Sequence, residues 1–430
     1  DLPRRPIVPS SAIVHERLSV EIMRGCTRGC RFCHAGISYR PRRERSVDEI
    51  VEAVCEGLDS SGWEEVSLLS LSSSDYSRFG ELLDRLSPEL EKRRVSLSMP
   101  SLRPETVCEQ VVTASGLIRR SGFTLAPEAG TQRLRDVINK GMTEEEILRG
   151  CARILDAGWQ NLKLYFMIGL PGETDEDVAG IASLIGRISD LAGGRRRMKI
   201  NVSVSPFVPR VNTPFQWERQ ASIAEIAAKE RRLRSLVDRR GVQVTVRDPK
   251  MSALEGVFAR GGESLWPVVL TAFERGCRFD GWRDNFDFDR WNSILEECGF
   301  TLEGLLSGFE PDEELPWERF GLRVTRDFLL RERERAFREE VTEDCRTGAC
   351  SDCGACREPG DREAGRVEAS APLDAGGASA PDGTGEGPPG SEEPDGGEDA
   401  ETVFHRYRLS YYRTGQARFI SHRESINVIH

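Results

Sequence analysis

Between residues 17 and 240 the chain alternates short apolar runs with amphipathic stripes of helical spacing. Residues 17–23 place Leu18, Val20 and Ile22 at every second position, the period of a half-buried strand. Ser46 with Glu49 three residues on is a capping box, and Val47, Ile50, Val51, Val54 and Leu58 form one helical face after it. Residues 65–71 predict a second strand, 75–85 a helix and 95–99 a third strand. Pro104 suits the first turn of a further helix. Residues 122–126 predict a fourth strand, followed by a helix over 131–138. Thr143 with Glu146 repeats the capping box before Ile147, Leu148, Cys151, Ile154 and Leu155. Residues 162–168 and 199–205 complete the strands. Their helices span 175–188 and run from Ser222, with Glu225, to about residue 240. Six βα units in a row predict an α/β fold with a parallel sheet. Six fall short of a closed eight-stranded barrel, so the expected architecture is an open partial (βα)6 TIM-like barrel with its chemistry at the carboxyl ends of the strands.

Composition changes the picture at the C-terminal end. Of 430 residues, 60 are Lys or Arg and 71 Asp or Glu, a formal net charge of −11. Residues 357–402 hold ten Gly, six Pro, thirteen acidic residues and three Arg in 46 positions, with no aromatic residue. Such a segment buries too little apolar surface to offset its ordering entropy and reads as a disordered acidic linker carrying most of the negative charge. Residues 403–430 hold five Arg and one Glu. Net charge therefore does not exclude an RNA partner. No apolar run approaches the ~20 residues of a membrane helix and no signal peptide is visible, so the expectation is a cytoplasmic protein without a membrane partner. The start at Asp1 and the stop at His430 suggest a piece of a longer protein.

Candidate chemistry lies in the cysteines. Cys26, Cys30 and Cys33 follow the first strand with spacing C-x3-C-x2-C, with Gly25 and Gly29 for tight turns. Three thiolates in eight residues can hold one face of a cuboidal iron–sulfur cluster and leave one iron open. Zinc would need a fourth ligand; His34 is the nearest candidate, but it directly follows Cys33, which makes joint ligation awkward.

This loop, with an aromatic residue before its third cysteine, resembles the signature of the radical S-adenosylmethionine (SAM) superfamily. Gly122-Phe-Thr-Leu-Ala-Pro-Glu128-Ala-Gly130-Thr, with Arg133 and Val137-Ile-Asn-Lys140-Gly, resembles the elongator-like branch. So does Phe166-Met-Ile-Gly169-Leu-Pro-Gly172-Glu173-Thr174. The run from Ser70 to Tyr76, the Pro-Phe-Val-Pro at Pro206 and the last cysteine cluster resemble an uncharacterised group of cobalamin-binding-type radical SAM proteins joined to a radical-SAM-linked C-terminal domain. The resemblance implies a 4Fe-4S cluster on Cys26, Cys30 and Cys33, SAM on the open iron, and an electron donor such as flavodoxin or ferredoxin. It implies cobalamin only through a domain upstream of these residues. It further implies that Phe32 lines the adenosyl side, that Ser72, Ser73 and Ser74 stand where relatives carry Gly-Gly-Glu, and that Glu128 meets the ribose or amino group. Arg133 and Lys140 would pair with the SAM carboxylate, and Gly169 and Gly172 would admit adenine close to backbone. Taken singly, Glu128 and Arg133 also read as a helix cap and a solvated charge, and Gly169–Gly172 as a plain turn.

Cys345, Cys350, Cys353 and Cys356 form a second set with spacing x4, x2, x2. Four thiolates can hold either a second iron–sulfur cluster or zinc. The expected organisation is a core over 1–247, a helical extension over 248–340, the cysteine cluster over 341–356, the linker over 357–402, and the start of an α+β domain over 403–430. In that last segment Tyr407, Leu409 and Tyr411 alternate with Arg406 and Arg408, a pattern that fits RNA stacking and equally a half-buried strand. The expected function is a radical SAM enzyme acting on an unknown substrate, with RNA as the candidate. The alternative is a metal-stabilised RNA- or protein-binding adaptor without turnover.

Overall fold

Parallel strands and the helices between them build the first 250 residues. The structure, a computed structural model, describes residues 13–99, 122–191 and 198–356, with 2, 4–9, 103 and 106 besides. The helix expected at Pro104, the acidic linker and the basic C-terminal segment lie outside these residues.

Strand β1 (Leu18–Glu21) runs into a two-residue ribbon strand β2 (Met23–Arg24), then the cysteine loop and the short helix α1 (His34–Ser38). The ribbon closes against β3 (Arg43–Glu44), antiparallel to β2. Helix α2 (Val47–Ser61) starts at the expected Ser46–Glu49 capping box and stops at Gly62 in a left-handed conformation. Its stripe of Val47, Ile50, Val54 and Leu58 is buried, each residue contributing about 1.5–3 kcal/mol if fully buried. Strand β4 (Glu65–Leu69) follows.

Helix α3 (Phe79–Arg93) begins later and ends later than its sequence suggests. Pro88 gives up a backbone hydrogen bond inside it, yet Leu82, Leu83, Leu86 and Leu90 continue one buried face across the proline. Strand β5 (Ser96–Ser98) completes a three-stranded parallel sheet in the order β1-β4-β5.

A second parallel sheet, β6-β7-β8-β9, takes up the rest of the core. Its strands are β6 (Phe123–Glu128), β7 (Asn161–Ile168), β8 (Lys199–Pro206) and β9 (Val242–Val246). Between them lie α4 (Gln132–Val137), α5 (Glu144–Asp156), α6 (Asp175–Leu191) and α7 (Ile223–Leu236). Helices α5 and α7 open on the expected capping boxes, Thr143–Glu146 and Ser222–Glu225. Strand β9 is a seventh parallel strand that the sequence reading stopped short of. It pairs with β8 from Ile200–Val242 to Val204–Val246, and as the last strand in its sheet order none of its residues is fully buried.

Beyond the sheets come α8 (Pro249–Arg260), α9 (Trp266–Glu274), α10 (Phe288–Glu297) and α11 (Leu302–Leu306). They share a separate core around Val257, Val268 and Ile294. The last helix, α12 (Arg326–Phe337), leaves that group. Its Phe328 and Leu329 pack with Ile37 of α1, and its Ala336 packs with Ala129, Val137 and Phe207. Helix α12 therefore sits on the cysteine loop. No described helix is long and apolar enough to cross a membrane.

Candidate radical SAM site

Every strand of both sheets runs parallel to its neighbour, so within each sheet the loops after the strands share one edge. The cysteine loop follows β1 and β2, Ser70–Asp75 follows β4, Glu128 ends β6, and Gly169 follows β7.

Glycine makes the cysteine loop feasible. Gly25 has φ of 92°, and a Cβ there would lie 2.4 Å from the Tyr39 carbonyl oxygen and 2.6 Å from that of Pro41. Gly29 has φ of 77°, and its Cβ would meet Asn139 Nδ2 at 2.9 Å. Cys33 caps α1, its Sγ accepting from the Gly36 amide at 3.3 Å, and its own amide donates to the Cys30 carbonyl at 3.1 Å. The three thiols feel one another electrostatically. Burial pushes Cys33 up to about 11 and, with Cys30 beside it, raises Cys26 as well. Gly36 N–H and Lys140 pull the other way at Cys33. Buried thiols of this kind are loaded with release of protons. Among the described residues no three His, Cys, Asp or Glu side chains converge tightly enough to share a single ion. Three half-buried thiols that feel one another are the donor set a cuboidal iron–sulfur cluster takes, one thiolate to each of three irons.

Beside Cys33 the structure brings together three of the expected SAM contacts. Lys140 Nζ donates to Glu128 Oε1 at 3.2 Å and sits 5.9 Å above the Phe32 ring centroid. Phe32 packs on the cluster of Ala129, Leu134, Val137 and Phe207. Glu128 has a φ of 68° at a register shift in β6, an unusual backbone for a side chain of its size.

The serines are spent mostly on their own loop. Ser73 Oγ donates to the Leu68 carbonyl at 3.2 Å and accepts from Ser70 Oγ at 3.0 Å. Ser74 Oγ accepts from the Arg103 amide at 3.5 Å. Ser72 Oγ is buried beside the Asp75 carboxylate without a well-formed hydrogen bond. Arg133 is held by Asp177, by the Gly172 carbonyl at 2.9 Å and by Glu339 at 3.2 Å, so its charge fastens α4 to the next loop. Gly169 and Gly172 both have positive φ, and a Cβ on Gly169 would strike Ile226 Cδ1 at 2.8 Å. Glu173 fixes that turn by accepting from the Gly169 amide at 2.9 Å and pairing with Lys229 at 2.8 Å. Burial raises its pKa against both partners.

Sequence reasoning missed the polar frame around the cysteine loop. Arg31 is wholly buried. It donates to Glu332 Oε2 at 3.2 Å, to the carbonyls of Asp136 and Val137 at 3.0 Å each, and to that of Glu340 at 2.7 Å. Asn139 Nδ2 donates to the carbonyls of Arg28, Gly29 and Thr342, and its Oδ1 accepts from the Thr342 amide at 2.9 Å. Asp75 pairs with Arg28 and, at 3.1 Å, with Arg346. Burial alone would raise the Asp75 carboxyl, but the two guanidiniums outweigh it and hold it far below the usual range. Arg28, Arg42, Asp75 and Arg346 border a cleft of about 590 Å³. The sequence signal for this frame was the run of arginines between residues 24 and 45 around the first cysteines, with Asp344 and Arg346 flanking Cys345.

The second cysteine set rests on the first. Asp344, preceding Cys345, accepts from Thr27 Oγ1 at 2.7 Å. Cys345 lies within electrostatic reach of Arg40, Cys350 and Cys353. The Cys353 carbonyl accepts from the Thr325 amide at 3.0 Å.

Comparison with known proteins agrees with this geometry. Residues 20–185 match the family model described as the Radical SAM superfamily. An uncharacterized protein of Methanocaldococcus jannaschii is 30% identical over 248 residues, covering 57% of this chain and 52% of that protein. The tRNA-2-methylthio-N(6)-dimethylallyladenosine synthase of Desulforamulus reducens is 27% identical over 179 residues, 39% of each. The chain thus spans about half or less of these relatives' length. A solved structure of the radical SAM methyltransferase TsrM of Kitasatospora setae, with cobalamin and a [4Fe-4S] cluster bound, is 13% identical at a TM-score of 0.42, covering 66% of this chain and 60% of that one. With the cysteine loop and the parallel strands agreeing with that match, residues 20–185 carry a radical SAM domain.

Proposed function

We propose that the chain is an enzyme that cleaves SAM reductively and modifies RNA. Cys26, Cys30 and Cys33 hold the cluster. Bound there, a 4Fe-4S cluster with SAM on its open iron supplies one-electron cleavage to methionine and a 5′-deoxyadenosyl radical. The observation that carries the reading is the meeting of Phe32, Glu128 and Lys140 beside Cys33. Phe32 gives SAM an apolar wall and excludes water. Lys140 meets its carboxylate, Glu128 meets its hydroxyls or amino group, and Gly172, with open space where a Cβ would stand, leaves room for adenine. A low-potential donor of the flavodoxin or ferredoxin kind supplies the electron, and a reducing cytoplasm suits such thiolates.

RNA as substrate is supported by the tRNA-modifying relatives. The aromatic–arginine pattern of 403–430 adds to it. The domain boundaries expected from the sequence belong to the same proposal.

Anaerobic reconstitution followed by a reductant-dependent SAM cleavage assay tests the enzyme reading. It requires 5′-deoxyadenosine formation and an EPR signal altered by SAM, both lost in Cys30→Ala. A cluster indifferent to SAM, with no 5′-deoxyadenosine, would leave a metal-stabilised adaptor. Comparing modified nucleosides of deletion and wild-type cells tests the RNA substrate; identical profiles would remove it.

A further inference from the structure

We propose that Cys345, Cys350, Cys353 and Cys356 bind a second iron–sulfur cluster, and that its solvent-facing side is where a reductant delivers electrons bound for the first. The inference rests on the reading of Cys26, Cys30 and Cys33 as a cluster site.

Three observations carry it. The first is local folding. Asp352 and Gly354 both adopt left-handed backbone, with φ of 50° and 80°, on either side of Cys353. The first cysteine loop uses the same device at Gly25 and Gly29 to turn a short chain around its thiols. A Cβ on Gly354 would lie 2.7 Å from Thr325 Cγ2 and 3.1 Å from the Arg323 carbonyl oxygen, so the turn is pressed against the start of α12. The set is thus built into the fold.

The second is the gathering of the thiols. Cys345 lies within electrostatic reach of both Cys350 and Cys353. A cluster can take up four such thiolates, one to each iron.

The third is placement between solvent and the first site. Cys350 and Cys356 are exposed, and Cys353 is buried. Inward, a polar path joins Cys345 to the first loop. Arg40, buried and near Cys345, donates to the carbonyls of Thr27 and Gly36 at 3.3 Å each. Thr27 follows Cys26, and the Gly36 amide donates to Cys33 Sγ at 3.3 Å. Asp344 makes a second link through Thr27 Oγ1. A redox-inert zinc would make no use of this path. A reduced flavin- or iron–sulfur-carrying protein loses one electron to the outer cluster, and that cluster loses it in turn to the inner one, so each transfer balances.

Metal analysis and EPR of the anaerobically reconstituted 430-residue chain test the assignment. The wild type is expected to hold about eight irons with matching sulfide, and a Cys26→Ala/Cys30→Ala/Cys33→Ala variant about four, its EPR signal unaffected by SAM. Zinc in that variant, or a wild type with about four irons and one zinc, would overturn the proposal without touching the first site. Loss of the SAM-sensitive signal from wild type would instead overturn the reading of the first site. In Cys350→Ser/Cys356→Ser the rate at which reduced flavodoxin reduces the remaining cluster, divided by the rate with dithionite, is expected to fall about tenfold. An unchanged ratio would remove the electron-entry role.

Discussion

Arg31 and Glu332, 301 residues apart in sequence, form a buried ion pair at 3.2 Å between the cysteine loop and the last helix. Both side chains are almost wholly enclosed, and Thr342 Oγ1 also donates to the carboxylate. Removing one charge strands the other. Glu332→Gln is therefore expected to destabilise the fold by about 3–5 kcal/mol, read from denaturant unfolding. A change below about 1 kcal/mol would show that the carbonyls around Arg31 suffice without the carboxylate.

Gly25 and Gly62 make a matched pair of tests. Both have positive φ, but a Cβ at Gly62 meets nothing within 4 Å, whereas at Gly25 it would strike two carbonyl oxygens. Gly62→Ala is expected to cost only the backbone penalty of about 1–2 kcal/mol. Gly25→Ala should cost more and should also lower bound iron, because the loop must shift to admit the methyl. Thermal unfolding with iron analysis of both variants checks this; equal losses would sink the argument.

Lys140 is expected to report on SAM and not on the cluster. Lys140→Met removes the charge next to Glu128 and above Phe32 while leaving every cysteine in place. Iron content should hold, and SAM affinity should fall roughly tenfold, the scale of one charge-assisted hydrogen bond. The SAM dependence of the EPR signal measures it, and an unchanged affinity would take Lys140 out of the site.

Asp75 gives a pH dependence. Its folded-state pKa lies below the unfolded value of about 3.9, so its stabilisation is complete above that value and is lost as pH falls towards the folded one. Asp75→Asn should therefore be less stable than wild type at pH 7. The difference should shrink only as the pH drops below about 4, the range in which the unfolded carboxyl takes up its proton. Unfolding curves of both proteins between neutral and acid pH test this; a constant difference would mean the carboxylate is not held by its arginines.

Much of the core was legible because its signals are local. The three capping boxes and the alternating strands needed only neighbouring residues to be read, and they stand where expected. Phe32, Glu128 and Lys140 were placed by resemblance to a family pattern, and the fold brings them together. Strand β9 was legible as well, Val242, Val244 and Val246 alternating with Gln243 and Thr245, but it lies beyond the six βα units and its apolar side is only half-buried. Helix α3 was cut short because Pro88 reads as a stop, although the leucine face on both sides of it outweighs the lost hydrogen bond. The frame of Arg31, Asn139, Asp75 and Asp344 was illegible for a different reason. Its partners lie up to 317 residues apart, and no window of sequence contains both.

That separation bears on the order of events during synthesis. The cysteine loop leaves the ribosome well before Glu332, Thr342 and Asp344, which close around it and come some 300 residues later. Contacts so distant form late, after long loops have been closed. The nascent loop therefore waits with its thiols uncovered until almost the whole described chain has emerged. Iron delivered before that moment would meet an unfinished cradle, which makes assembly of the metal site the closing act of folding.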